Sequence, residues 1–197
     1  IAGAMDSGPC LFTWGGATAI RKETFFAAGV PEAWKNTISD DYRLAAAVRK
    51  AGLKIVFAPG AVVVSGGGAG GREFFVWARR QLMITRFYAP RLWWLALVAH
   101  FFYSAGMAAV AAACVAGRPA ALWVLAGILG PGMLKGFQRA RRYGGPAVPH
   151  AVLTAPAALL WLALLAASAC GHTVRWRGRR YVLGRGGAVE SGYNDSR

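Results

Sequence analysis

Residues 92–116 have the sequence LWWLALVAHFFYSAGMAAVAAACVA, an apolar run that contains no acidic side chain, lysine or arginine. A helix of about 20 apolar residues crosses the hydrocarbon core of a bilayer, so this run is long enough to span one. Trp93 and Trp94 stand at its beginning, where aromatic side chains meet the interface between lipid and water. The stretch therefore predicts a transmembrane helix and makes the chain an integral membrane protein.

Two further apolar runs follow it. Residues 120–134 form a shorter run that Gly130-Pro131-Gly132 breaks, and residues 147–170 form a third. Only Gly117-Arg118-Pro119 separates the first run from the second, so we expect those two helices to form a hairpin. About three transmembrane helices are predicted within residues 91–171, which makes the protein multi-pass.

The distribution of basic residues predicts which side of the membrane each segment occupies. A basic cluster follows the second run: Lys135, Arg139, Arg141 and Arg142. The positive-inside rule places this cluster in the cytosol together with Arg79 and Arg80. One more crossing would put the basic tail, residues 172–197, on the far side. Either the tail violates the rule or one apolar run is re-entrant, and the broken second run is the candidate.

Composition supports a boundary near residue 90 and argues against a nucleic-acid partner. The net charge is +15, and 16% of the residues are charged, against about 25% in an average soluble domain. Residues 91–170 contain no acid, whereas residues 1–90 contain Asp6, Glu23, Glu32, Asp40, Asp41 and Glu73. The arginines adjoin apolar runs, where they meet lipid headgroups, and no nucleic-acid-binding motif accompanies them.

The segment before the spans alternates predicted strands and helices. Residues 11–20 predict a strand interrupted by Gly15 and Gly16, a pair that indicates either close approach of a ligand or a plain bulge. Residues 22–28 predict a short helix.

A second helix is predicted over residues 40–50, because Asp40 and Asp41 occupy its first turn and Arg49 and Lys50 its last. Residues 53–58 and 61–64 predict two short strands. This alternation is typical of an α/β layer, and we expect the missing part of that layer upstream of Ile1.

Residues 72–88, REFFVWARRQLMITRFY, predict an amphipathic helix after a glycine-rich loop. Arg72, Arg79 and Arg86 recur every seven residues and therefore share one helix face, while aromatic side chains gather on another. Because an apolar span follows directly, we expect this segment, residues 72–90, to lie in the membrane interface rather than on an ordinary protein surface.

The best candidate for chemistry is the turn Ser39-Asp40-Asp41-Tyr42, called the acid turn below. Paired carboxylates at the start of a helix can act as a general base or bind a metal ion. They can equally cap the helix by accepting hydrogen bonds from first-turn amides. The residues alone leave both interpretations open.

Taken in order, these segments resemble a known family. The stretches are WGGATAIRKETFFAAGV (residues 14–30), ISDDYRLAAAVRKAGLKIVFAP (38–59), a basic aromatic helix, membrane spans, and WRGRRYVLGRGG (176–187). They resemble the C-terminal half of a family 2 glycosyltransferase, most closely ceramide glucosyltransferases and their bacterial relatives. The resemblance implies an α/β fold: the C-terminal part of a GT-A-like nucleotide-sugar transferase domain (residues 1–71), then the interfacial helix, the membrane helices and the tail.

The resemblance also implies roles for particular residues. Asp41, with Asp40 beside it, matches the family's general base, and Gly15 and Gly16 match the segment that lines the acceptor site. Arg80 and Gln81 match the start of a Gln/Arg-x-x-Arg-Trp motif that holds the diphosphate and the acceptor. This chain departs from the motif, since Met83-Ile84 stands where Arg-Trp is expected counting from Arg80.

Partners and a cofactor follow from the same resemblance. We expect a nucleotide-sugar donor, a lipid acceptor, a cytoplasmic catalytic part, and a divalent cation (Mg²⁺ or Mn²⁺) whose ligands lie upstream of this chain. Residues 1–197 would then lack the donor-binding half. Two alternatives remain: a polysaccharide synthase of the same family, and a non-catalytic transporter or scaffold subunit. A transporter would need several spans with internal repeats and polar residues at the midplane, whereas the spans here are few, unlike one another and almost free of charge.

Overall fold

A computed structural model of the chain describes residues 13, 17–58, 70–143, 147–176 and 178–194. The chain divides into two compact units. Residues 1–92 and 171–197 form the first unit, and residues 93–170 form the second. The basic tail thus belongs to the same unit as the acid turn.

Three helices open the described part of the first unit: α1 (Lys22–Ala27), α2 (Val30–Ala33) and α3 (Asp40–Lys50). Helix α3 begins after Ser39, whose side chain accepts a hydrogen bond from the Tyr42 amide. Its apolar face, with Leu44, Ala47 and Val48, packs on Val30 of α2 in a small core. Helices predicted at residues 22–28 and 40–50 are therefore confirmed.

Helix α4 (Gly71–Tyr88) confirms the helix predicted over residues 72–88. Ala78 and Met83 are buried on its inner side, while Phe75, Val76 and Trp77 are exposed. Arg79 and Arg86 are half-buried, so the exposed surface of α4 includes large apolar side chains and is not simply the arginine face.

The tail folds into a three-stranded antiparallel sheet, which the sequence analysis did not anticipate. Its strands are β1 (Thr173–Trp176), β2 (Arg179–Leu183) and β3 (Val189–Asn194), paired in the order β1-β2-β3. Gly178, with φ of 71°, turns the chain between β1 and β2. A short 3₁₀ turn, Arg185–Gly187, joins β2 to β3.

The sheet packs against α4. Val174 of β1 and Leu183 of β2 are buried with Met83 of α4 in a second small core. The side chains around this core are Ile38, Phe87 and Val189. This core holds the tail, helix α4 and the segment before the acid turn together.

The strands predicted upstream are not found in the described residues. Residues 17–20 and 53–58 are irregular, and the described part of the chain contains no segment that pairs with either. Val56 is 82% exposed, so this apolar side chain does not pack into a core. Residues 14–16 and 61–64 lie outside the described residues. The chain as described is mostly helical with a small sheet.

The second unit contains α5 (Pro90–Val115) from residue 93 onward, and the apolar helices α6 (Pro119–Tyr143), α7 (Ala147–Val152) and α8 (Thr154–Ala169). Among the described helices, α5 and α6 are long and apolar enough to cross a membrane. Many of their large apolar side chains are exposed, including Leu95, Phe102 and Trp123.

The predicted break in the second apolar run is wrong, because α6 continues through Pro131 to Tyr143. The third run is divided instead. Residue 153 separates α7 from α8, and Pro156 explains the division because it has no N–H to donate to the carbonyl group of Val152. The apolar helix that follows, Pro156–Ala169, is shorter than the two candidate spans.

A buried hydrogen bond joins α5 to α8 within the second unit. The Trp93 indole N–H donates to Ser168 Oγ at 2.9 Å, and the Ser168 hydroxyl donates to the Leu165 carbonyl at 2.7 Å. Both side chains are almost fully buried. Satisfied polar groups of this kind hold apolar helices together where water is excluded.

Candidate active site

A pocket of about 150 Å³ opens beside the start of α3, entirely within the first unit. Three segments distant in sequence line it: the acid turn, α4 and the C-terminal sheet. The lining residues are Ile38, Ser39, Asp40, Asp41, Arg80, Gln81, Ile84, Val174, Trp176 and Tyr181. Four of the residues singled out in the sequence, Asp40, Asp41, Arg80 and Gln81, therefore meet in one place.

The acid turn is held by hydrogen bonds to its main chain. The Trp34 indole N–H donates to the Asp40 carbonyl at 3.0 Å, and the Thr13 hydroxyl donates to the Asp41 carbonyl at 2.6 Å. These bonds help to fix the backbone of the turn from outside it.

The two carboxylates are in different positions. Asp40 is exposed, and its Oδ1 accepts the Asp41 amide at 3.0 Å, so Asp40 takes part in capping together with Ser39. Asp41 is half-buried in the pocket lining. Both lie in the first turn of α3, where the helix dipole stabilises negative charge.

Tyr42 links the acid turn to α4. Its hydroxyl lies 2.8 Å from Thr85 Oγ1, and the Thr85 hydroxyl donates to the Gln81 carbonyl at 2.9 Å. Burial raises the pKa of Tyr42, a hydrogen bond donated by Thr85 to the ionised phenol oxygen opposes this, and the negative charge of Asp41 raises the pKa further. The phenol therefore stays neutral next to a charged carboxylate.

Helix α4 contributes a cation and an amide to the pocket. Arg80, Gln81 and Ile84 occupy neighbouring positions on its pocket side, since residues four apart lie one above the other on a helix. Met83, which stands where the family motif has arginine, is 1% exposed and belongs to the core under the sheet. Met83 therefore packs under the sheet at a buried position where the charged arginine of the motif would not fit.

The C-terminal sheet supplies the wall that the sequence analysis missed. Val174 pairs with Tyr181 across β1 and β2, and Trp176 lies two residues beyond Val174 on the same face of the sheet. The available signal was the alternation of apolar and basic residues in Val174-Arg175-Trp176, which is typical of a half-buried strand, followed by the strand-favouring residues Tyr181 and Val182.

Tyr88 anchors this sheet to the segment before the acid turn. Its hydroxyl accepts the Ile38 amide at 3.1 Å and donates to the Gly187 carbonyl. The Thr37 hydroxyl oxygen also lies 2.7 Å from the Tyr88 hydroxyl oxygen. The Tyr88 phenol therefore joins α4, the segment before the acid turn and the C-terminal sheet.

Further contacts support the same junction. The Val189 amide donates to the Asn36 carbonyl at 3.0 Å. Arg43 donates to the Gly186 carbonyl at 2.9 Å, and its guanidinium carbon lies 5.4 Å from the centre of the Tyr88 ring. The Tyr42 and Tyr88 rings stack with their centres 5.8 Å apart.

Gly15 and Gly16, expected to line the acceptor site, lie outside the described residues. In the described part of the chain no group of three or more histidine, cysteine, aspartate or glutamate residues could hold a metal ion. Asp40 and Asp41 alone provide fewer protein ligands than a divalent cation usually takes, so the described residues do not fit a metal centre.

Paired carboxylates, a guanidinium and aromatic side chains thus line one small pocket. The sequence model of glycosyl transferase family 21 matches residues 6–189. The chain belongs to that family and is a glycosyltransferase. Comparison with curated proteins and with solved structures gave no match.

Proposed function

We propose that this chain is part of an inverting glycosyltransferase of the membrane, which moves glucose from a nucleotide-sugar donor to the hydroxyl group of a lipid such as ceramide. The observation that supports this proposal best is the pocket in which Asp41 and Arg80 both take part in the lining. A carboxylate and a guanidinium in the lining of one pocket suit a reaction that needs a base and stabilises a leaving anion.

In the proposed reaction Asp41 is the general base. Its carboxylate takes the proton from the acceptor hydroxyl while that oxygen attacks the anomeric carbon of the donor sugar. The bond from the anomeric carbon to the diphosphate oxygen breaks, and the nucleoside diphosphate leaves with the electron pair. A single displacement inverts the anomeric centre, and the proton stays on Asp41 until it passes to solvent.

Arg80 would stabilise negative charge on the leaving diphosphate, since a guanidinium forms charge-assisted hydrogen bonds with phosphate oxygens. The divalent cation expected from the family resemblance would add to this charge stabilisation. In our proposal its ligands lie in residues that precede this chain in the complete enzyme.

The lipid acceptor is favoured by the apolar second unit. Helix α4 ends at Tyr88 and α5 begins at Pro90, so the chain passes almost directly from the helix of the pocket into a candidate membrane span. We propose that α4 lies in the interface, that the protein crosses the membrane several times, and that the pocket faces the cytoplasm.

A polysaccharide synthase of the same family is the second candidate. Such an enzyme needs the Arg-Trp pair and enough helices to line a channel. The core position of Met83 and the small number of candidate spans in the described residues both favour the lipid acceptor over the polymer.

The test is transfer of radiolabelled sugar by the complete enzyme in membranes, with a panel of nucleotide sugars. We expect label from the glucose donor to enter extractable lipid, and residues 1–197 alone to be inactive. Label found only in polymer would support the synthase. Absence of label from both fractions with every donor would contradict the proposed function.

A further inference from the structure

The lining of the pocket is divided by chemistry. The acid turn and α4 contribute charged and amide groups, namely Asp40, Asp41, Arg80 and Gln81. The sheet contributes Val174, Trp176 and Tyr181, and Ile38 and Ile84 add further apolar side chains. A pocket whose lining combines charged groups with apolar and aromatic ones suits an amphipathic ligand better than a freely soluble sugar, whose hydroxyls point in every direction.

Among the apolar and aromatic lining residues, Trp176 is the candidate for contact with a ligand. It is 44% exposed and is not a member of the core under the sheet, which consists of Met83, Val174 and Leu183. A large aromatic ring that lines a pocket and stays partly open to solvent has apolar surface available for a ligand. Its position at the end of β1, two residues beyond Val174, puts it on the pocket face of the sheet.

We propose that Trp176, together with Tyr181, forms the wall that binds the acceptor: an alcohol carried on an alkyl chain, whose carbons pack on the aromatic rings while its hydroxyl points to Asp41. This inference rests on the proposed function and names the residues that select its acceptor. The pocket, at about 150 Å³, is large enough for the head of such a molecule but not for a complete nucleotide sugar as well.

The sheet therefore replaces part of the family motif from a different place in the chain. Ile84 stands where the motif has its tryptophan, and it lies in the same pocket as Trp176. The aromatic ring that α4 lacks is supplied by β1, more than eighty residues further along the sequence.

The test compares steady-state kinetics of the complete wild-type enzyme with those of Trp176→Ala and Trp176→Phe, with the lipid acceptor and the sugar donor varied separately in mixed micelles. We expect Trp176→Ala to raise the KM for the acceptor about tenfold while the KM for the donor stays within about twofold. Trp176→Phe should restore most of the loss because it keeps an aromatic face.

Arg180→Ala is the matched control. Arg180 is exposed on the adjacent strand and pairs with Arg175 on the opposite face of the sheet from Trp176, so its loss perturbs the sheet without touching the pocket. Its acceptor KM should equal that of the wild type. Melting temperatures of all variants separate a binding defect from unfolding.

Three outcomes would overturn the inference. Each applies while lipid transfer by the wild type remains intact. The acceptor KM of Trp176→Ala could be unchanged, the acceptor KM of Arg180→Ala could rise equally, or Trp176→Ala could raise only the KM for the donor. Absence of lipid transfer by the wild type would instead overturn the proposed function, and this inference with it.

Discussion

The hydroxyl group of Tyr42 lies 2.8 Å from that of Thr85, and this hydrogen bond joins the acid turn to α4. Since the Thr85 hydroxyl donates to the Gln81 carbonyl, Tyr42 must be the donor to Thr85. The residue next to Asp41 is thereby attached to the helix that carries Arg80. This contact therefore helps to set the position of Asp41 relative to Arg80.

Replacing Tyr42 with phenylalanine tests the contact through its pH dependence. The folded protein binds the Tyr42 proton more tightly than the unfolded chain, because the pKa is raised above its ordinary value of 10.0. The stabilisation is therefore complete below pH 10.0 and is lost as the pH rises through the pKa of the folded state. We expect the wild type to lose stability above that pH more steeply than Tyr42→Phe.

The measurement is the midpoint of chemical unfolding in detergent across this alkaline range, compared between the two proteins. At neutral pH Tyr42→Phe should be less stable by about 1 kcal/mol, the usual value of one hydrogen bond. Parallel curves above pH 10.0 would show that Tyr42 is as accessible in the folded protein as in the unfolded chain.

Gly187 and Gly186 provide a matched pair for the junction between the sheet and α4. Both have positive φ, at 77° and 67°, so alanine at either position is strained by roughly 1–2 kcal/mol. A Cβ atom at Gly187 would also collide with the Tyr88 ring, whereas one at Gly186 would meet nothing within 4 Å. We expect Gly187→Ala to cost about 1–3 kcal/mol more than Gly186→Ala in unfolding free energy.

Limited proteolysis locates the effect, because a sheet released from Tyr88 becomes accessible at its arginines. Gly187→Ala should be cleaved within residues 175–185 faster than Gly186→Ala. Equal cleavage and equal stability of the two variants would mean that Tyr88 does not hold the sheet.

Two buried serines test the hydrogen bond between α5 and α8. Ser168 accepts the Trp93 indole N–H, whereas Ser104 Oγ is buried with no hydrogen-bond partner among the described residues. Ser168→Ala leaves the indole N–H unsatisfied, so we expect a loss of about 1 kcal/mol. Ser104→Ala removes an unpaired polar atom and should be neutral or stabilising. Unfolding in detergent measures both, and similar losses would contradict the assigned hydrogen bond.

The sequence was sufficient for the parts of the fold that depend on local signals. Helices α3 and α4 follow from the acids and bases at their ends and from the period of their apolar residues. The acid turn was identified as a candidate site because two adjacent carboxylates at the start of a helix can act as a base or bind a metal ion. Its pairing with Arg80 and Gln81 was implied by the family resemblance rather than by any local pattern.

The sequence was insufficient where contacts between distant residues decide the structure. The tail was interpreted as a basic segment because its arginines dominate the composition. The tail forms a sheet whose residues Val174 and Leu183 pack on Met83. Met83 lies some ninety residues earlier in the chain. Conversely, the apolar residues 53–58 do not form a strand in the described structure, because a strand needs a pairing partner that local sequence does not specify.

The most direct test of the central claim, that Asp41 is the general base, is the turnover of Asp41→Asn beside Asp40→Asn in the complete enzyme. Asparagine keeps the size of the side chain and can still accept a hydrogen bond, so both variants should melt near the wild type. We expect Asp41→Asn to lose about 10²–10⁴-fold in turnover and Asp40→Asn to stay close to normal. Near-normal turnover in Asp41→Asn, with only a lowered melting temperature, would contradict the account and leave the acid turn as a helix cap.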